Sequence, residues 1–165
     1  MSSRPQTSPL TRRAILFGGC AALAGCGFAP VYGTGGQAAA LRNATVVETE
    51  DTVEGYRIRQ HLEDRLGIAA TARFRLSITV DVTRRAVAVA SDNNTTRQRL
   101  EGAASYRLIN DAGQVVTHGT VSTFTAYSTT GSTVATAAAE EDAQDRLMIA
   151  LGDLVVTRLI AAAPQ

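Results

Sequence analysis

Residues 73–83 alternate without a break. Phe74, Leu76, Ile78, Val80 and Val82 are apolar, and Arg73, Arg75, Ser77, Thr79, Asp81 and Thr83 between them are polar. Strand side chains point to opposite faces with a period of two, so this run predicts a long strand with one buried face and one wet face. Val87 and Val89 extend it beyond Arg84-Arg85. Such a strand needs partners for its backbone and an apolar layer for its buried face.

The partners follow in the chain. Ser91-Asp92-Asn93-Asn94 is a turn signal, after which Leu100, Gly102, Ala104, Tyr106 and Leu108 alternate with Arg99, Glu101, Ser105 and Arg107. Asp111-Ala112-Gly113 turns the chain again, into a Thr- and Val-rich strand from about Val115 to Tyr127. Connections this short make the three strands an antiparallel meander. A further strand is expected within 42–49, around Val46 and Val47.

Two helices supply the apolar layer. Asp51 and Glu54 have capping-box spacing. Ile58, Leu62 and Leu66 then recur every four residues, and Gly67 is placed to end that helix. His61 lies beside the stripe and reads as a solvated or partly buried histidine, not a ligand. After the polar segment 128–132, a long helix reaches about Ala162 with a stripe of Ala143, Leu147, Ala150, Leu151 and Leu154, adjoined by Val155 and Leu159. Glu140, Glu141 and Asp142 are expected near its start and Arg158 near its end, where they complement the helix dipole. Gly152 costs about 1 kcal/mol against Ala inside a helix, and a close approach to the sheet is a reason to keep it. The order β-α-β-β-β-α predicts an α+β fold, with two helices packed on one face of a four-stranded, largely antiparallel sheet. The other face is Thr-, Ser- and Arg-rich and covered by nothing in this chain, either plain solvent surface or a docking face.

The N-terminus carries an address. Arg4, Arg12 and Arg13 precede the short apolar stretch 14–24, which falls below the ~20 residues that cross a bilayer and reads as a secretory signal. Thr11-Arg12-Arg13-Ala14-Ile15-Leu16 faintly resembles a twin-arginine export motif, and ordinary secretion fits equally. Leu23-Ala24-Gly25-Cys26 looks like a lipobox, which implies cleavage before Cys26 and its acylation. Cys20, preceded by Phe17-Gly18-Gly19, matches less well. The expected organisation is a signal peptide at 1–25, a lipidated N-terminus and flexible Gly/Ala-rich tether at 26–41, and one α+β domain at 42–165. Gly27 after the acylated cysteine favours the outer membrane by the known sorting rule.

Composition excludes more than it proposes. Lys is absent, and beyond the signal thirteen Arg face fifteen acids, so the whole chain does not call for nucleic acid. Cys26 would be the only mature cysteine, which excludes disulfides and thiolate metal sites. The two histidines, His61 and His118, lack metal-ligand spacing, and there is no nucleophile elbow or phosphate loop. No enzyme, metal or cofactor is expected. The charge distribution does stand out: residues 73–107 hold seven Arg against Asp81, Asp92 and Glu101, while the remaining mature chain is acidic. A basic segment on an acidic body suggests an anionic partner, and the planar guanidinium fork suits phosphate and carboxylate. A solvated strand face with scattered ion pairs accounts for the same pattern. Hairpin pairing would bring Arg84, Arg85, Arg97 and Arg99 toward one end of the sheet, where they are the candidate anion-binding residues.

Cys26-Gly27-Phe28-Ala29-Pro30-Val31-Tyr32-Gly33 resembles the opening of the alphaproteobacterial LptE family of lipopolysaccharide-assembly lipoproteins. The resemblance continues through Arg97-Gln98-Arg99-Leu100, Ala104-Ser105-Tyr106-Arg107-Leu108, Thr125-Ala126-Tyr127-Ser128 and the Ala-rich helix containing Glu141-Asp142-Ala143-Gln144-Asp145-Arg146. Ala126-Tyr127-Ser128 departs from the Ser-Tyr-Asn expected there. The resemblance implies a lipid anchor on the periplasmic side of the outer membrane and a partner, the large LptD-type barrel, whose lumen such a protein plugs and whose assembly it assists. It implies lipopolysaccharide as the ligand, delivered to the outer leaflet. No motif carries individual lipopolysaccharide-binding residues over; Arg84, Arg85, Arg97 and Arg99 rest on charge and strand position. The rival readings are a lipid-anchored, non-enzymatic accessory subunit of another envelope lipid-transport system and, more remotely, an acylated hydrolase.

Overall fold

The computed structural model describes residues 37–89 and 95–162. The expected signal peptide at 1–25, Cys26, the part of the expected tether up to residue 36 and the expected turn at Asp92-Asn93-Asn94 lie outside the described residues. The elements are α1 (Gln37–Leu41), β1 (Thr45–Thr49), α2 (Val53–Leu66), β2 (Phe74–Val89), β3 (Thr95–Asn110), β4 (Val115–Ser128) and α3 (Thr133–Ala162).

The four strands form one sheet in the order β1-β2-β3-β4. β2 pairs antiparallel with β3, and β3 with β4, as short turns require. β1 pairs parallel with β2, Val47 lying opposite Leu76, so the sheet is mixed. The helical crossover through α2 explains this: parallel neighbours need a connection long enough to return the chain to the same end. The expected α+β layer is present, with α2 and α3 on one sheet face and a single core between.

The alternation sets that core. Leu76 and Ile78 of β2, Leu100, Ala104, Tyr106 and Leu108 of β3, and Val121 and Tyr127 of β4 are buried against Ile58, Leu62 and Leu66 of α2 and Leu147, Leu151, Val155 and Leu159 of α3. Glycine lets the long helix close on the sheet: a Cβ on Gly102 would stand 2.9 Å from Leu151 Cδ1 and 3.1 Å from Leu147 Cδ2. Thr125 Oγ1 also donates to the Ala143 carbonyl of α3 at 2.8 Å.

Several boundaries differ from the sequence reading. Residues 37–41, assigned to the tether, form α1, and Ala38 and Leu41 join the core. The buried Thr45 hydroxyl donates to the Leu41 carbonyl at 2.9 Å, satisfying an orphan acceptor at that helix end. The cap of α2 is Thr52, not Asp51: its hydroxyl accepts from Gly55 N at 3.0 Å. Gly67 does end α2, at φ 78°, with its amide donating to Glu63 O at 2.7 Å.

α3 begins at Thr133, behind a Ser132 hydroxyl that accepts from Ala135 N at 3.2 Å. Glu140, Glu141 and Asp142 therefore sit inside the helix and form ion pairs, with Arg84, Arg57 and Arg146 respectively, away from the positive end of the dipole. Leu154 is 39 % exposed, while Met148, Val156 and Ile160 are buried, so the apolar stripe is rotated from the expected one. Gly152 faces α2 and not the sheet; a Cβ there would stand 2.7 Å from Cδ2 of His61. The His61 ring is half-buried, with Nε2 3.0 Å from Asp153 Oδ1. Among the described residues, no helix is long and apolar enough to cross a membrane.

Candidate functional site

The site is the sheet face that carries no helix among the described residues. Strand registry fixes which residues share it, in rows across the strands. Ser77, Arg107 and His118 form one row; Thr79, Ser105 and Thr120 the next; then Asp81, Ala103 and Ser122; then Thr83, Glu101 and Phe124; then Arg85, Arg99 and Ala126. Glu48 of β1 neighbours Ser77. Nearly every member is polar, which suits a surface that stays wet. The middle of the face is a hydroxyl belt, where Ser105 Oγ and Thr120 Oγ1 are hydrogen-bonded at 3.0 Å.

Registry also decides the fate of the four candidate arginines. Arg85 and Arg99 are direct cross-strand partners on the open face. Glu101 sits between them: Arg85 Nε donates to Glu101 Oε2 at 3.0 Å, and Arg99 Nη1 lies 3.6 Å from Glu101 Oε1. Arg97 is exposed one step further along the same face of β3, paired with Ser128 of β4. Arg84 is not with them. It pairs in register with Leu100, so it points to the helix side, where it forms an ion pair with Glu140 of α3. Consecutive residues on a strand cannot share a face, and the sequence cluster of four becomes three on one side and a sheet-to-helix tie on the other.

Two contributors escaped the sequence reading. Phe124 is 55 % exposed on the open face, and the Arg99 guanidinium carbon lies 4.0 Å from its ring centroid. A large aromatic residue at a wet position, between Ser122 and Ala126, was the available signal. Glu101 was visible only as another polar residue in an alternation, because its two arginine partners are defined by registry. The stacked Arg99 and the bridging carboxylate hold this end of the face in a defined arrangement, an aromatic anchor beside two guanidinium groups. At the opposite end Arg75 Nε lies 3.2 Å from Glu48 Oε1. Among the described residues there is no cluster of His, Cys, Asp or Glu that could hold a metal ion. His61 and His118 lie on opposite sides of the sheet, and His61 is engaged by Asp153.

A family model described as LptE: Lipopolysaccharide-assembly matches residues 34–159. Comparison with curated protein sequences gives no match. Solved structures with the same fold include a Caulobacter crescentus CB15 protein described as a lipoprotein, at 23 % identity and TM-score 0.64, with 76 % of this chain and 93 % of that one covered. Rare lipoprotein B from Shewanella oneidensis is similar at 10 % identity and TM-score 0.57, covering 72 % and 94 % of the two chains. Lipoprotein B from Nitrosomonas europaea gives 9 % identity and TM-score 0.55, covering 72 % and 82 %. At these identities the likeness establishes the shared fold.

Proposed function

The chain belongs to the LptE family of lipopolysaccharide assembly, and from that membership we propose that it is an outer-membrane lipoprotein that plugs and helps assemble an LptD-type barrel. In this reading it also assists delivery of lipopolysaccharide to the outer leaflet, and it works by binding, not by catalysis. Cys26, outside the described residues, is the proposed acylation site that holds the domain on the periplasmic side of the membrane.

The observation that carries the reading is the open sheet face. A β-barrel lumen is polar, and this face offers a hydroxyl belt flanked by charged ends, with no helix laid over it among the described residues. The exposed Phe124, backed by Arg99, provides the kind of aromatic and arginine anchor that concentrates binding energy at interfaces. Lipid phosphates would be met by Arg85, Arg97 and Arg99 at one end of the face. Arg84 contributes to that site only by fixing the strand against α3.

The test is site-specific photocrosslinking in the native membrane. Probes at Thr79, Arg99 and Ser122, one on each strand of the meander, are expected to trap the barrel. Probes at Gln60 and Leu154, on the exposed sides of α2 and α3, are expected not to. Capture from the helices alone reverses the docking face and overturns the reading.

A further inference from the structure

The open face carries two shallow depressions, and they differ in sign. One is bordered by Asp81, Glu101, Ser122 and Phe124 and offers carboxylates. The other, about 360 Å³, is lined by Ser77, Thr79, Ser105, Arg107, His118 and Thr120, with no carboxylate among its lining residues. Arg107 and His118 are direct cross-strand partners, and Ser77 faces Arg107 from the other neighbouring strand. Opposed residues of an antiparallel pair hold their Cβ atoms about 5 Å apart, so guanidinium and imidazole share one patch.

Arg107 also differs from most of the basic residues of this segment. Arg75, Arg84, Arg85 and Arg99 each have an acidic partner, in Glu48, Glu140, Glu101 and Glu101 respectively. Arg107, like Arg73 and Arg97, has no ion pair among the described residues, and of the three it alone has a histidine as its cross-strand partner. An incoming anion at Arg85 and Arg99 must first displace Glu101, whereas at Arg107 it displaces only water. Eight residues separate Arg99 from Arg107 on β3, roughly 26 Å at about 3.3 Å per residue, so the two places are separate.

We propose that Arg107 and His118 form a second anion site on this face, one that takes the phosphate group of a phosphorylated sugar. The planar fork of Arg107 donates to two phosphate oxygens, and the His118 imidazole reaches a third from the adjacent strand. A carboxylate has no third oxygen to offer. Ser77, Thr79, Ser105 and Thr120 surround the pair with hydroxyls that match the hydroxyls of a sugar and not an acyl chain. The site goes beyond the function proposed above: it uses other residues and requires no barrel.

The chain contains two histidines, and this gives the test an internal control. The full chain in detergent micelles is titrated with glucose 1-phosphate while the imidazole resonances are followed by NMR. Saturable shifts at His118 are expected, with His61, on the far side of the sheet, unmoved. Arg107→Gln should weaken binding about tenfold, the loss of one charge-assisted contact, while unchanged His61 signals report an intact fold. Glucose should leave His118 unmoved, and galacturonate should bind more weakly than the phosphate. An Arg85→Gln/Arg99→Gln variant should keep the affinity, which separates this site from the one at the other end of the face. An affinity unchanged by Arg107→Gln overturns the proposal, as does loss on the paired substitution instead. So does an equal shift with glucose, or tighter binding of galacturonate.

Discussion

Gly152→Ala is the substitution whose outcome separates packing from propensity. In a helix interior the change from Gly to Ala is worth about 1 kcal/mol in favour of Ala, and Gly152 lies well inside α3. Against this stands the geometry: the added Cβ would be 2.7 Å from Cδ2 of His61, and the next nearest atoms, at 3.6 and 3.7 Å, belong to the same ring. The ring cannot move freely, because Nε2 lies 3.0 Å from Asp153 Oδ1 and the side chain is 19 % exposed. Overpacking of this kind costs about 1–3 kcal/mol, so the net effect is a loss of roughly 0–2 kcal/mol. In a His61→Ala background all three nearest atoms are gone, and the same substitution should stabilise by about 1 kcal/mol. The coupling between the two sites is then about 1–3 kcal/mol, read from urea unfolding midpoints of the wild type, both single variants and the double variant. Equal stabilisation by Gly152→Ala in both backgrounds would refute the claim that His61 is what requires the glycine.

The fold and the anchor each yield a further expectation. Leu76 and Leu151 are fully buried on the two sides of the sheet-helix interface, so Leu76→Ala and Leu151→Ala should each cost about 2–5 kcal/mol; denaturation midpoints unmoved by either would place the core elsewhere. Cys26→Ala should abolish labelled palmitate incorporation and leave the precursor uncleaved, and undiminished labelling would remove the lipobox assignment.

The sheet was largely legible because its signal is local. The period-two runs at 74–82 and 100–108 name the buried face of β2 and β3 residue by residue, and Leu76, Leu100 and Leu108 are buried as the alternation requires. The parallel pairing of β1 was not legible, since Val46 and Val47 carry no information about which strand they meet or in which direction. α3 was harder than α2 because its sequence is apolar nearly all round: with Ala, Val and Leu on several sides, the choice of Val156 and Ile160 over Leu154 is made by the neighbouring helix and sheet. The cap of α2 went to Thr52 over Asp51. Both side chains are competent N-caps, and it is Thr52, extended at φ −124° and ψ 163°, whose hydroxyl accepts from Gly55 N.

The candidate site was legible in composition but not in pairing, and the pairing governs its chemistry. Counting charge along 73–107 finds seven arginines, yet it weights Arg84 and Arg107 equally. Alternation alone already separates Arg84 from Arg85, since neighbours on a strand face opposite ways; what it cannot show is that Glu140, 56 residues away in the chain, waits on the helix side for Arg84. Registry likewise puts Glu101 between Arg85 and Arg99, which turns the densest basic cluster in the sequence into a partly neutralised one. Exposed pairs of this kind are worth only about 0–1 kcal/mol each, so they tune the face without closing it: a multivalent anion can still displace Glu101, and a monovalent one gains little by doing so. The consequence is a face whose response to anions varies along its length, most open where an arginine has no acidic partner, at Arg107 beside His118 and at Arg97, and most selective at Arg85 and Arg99.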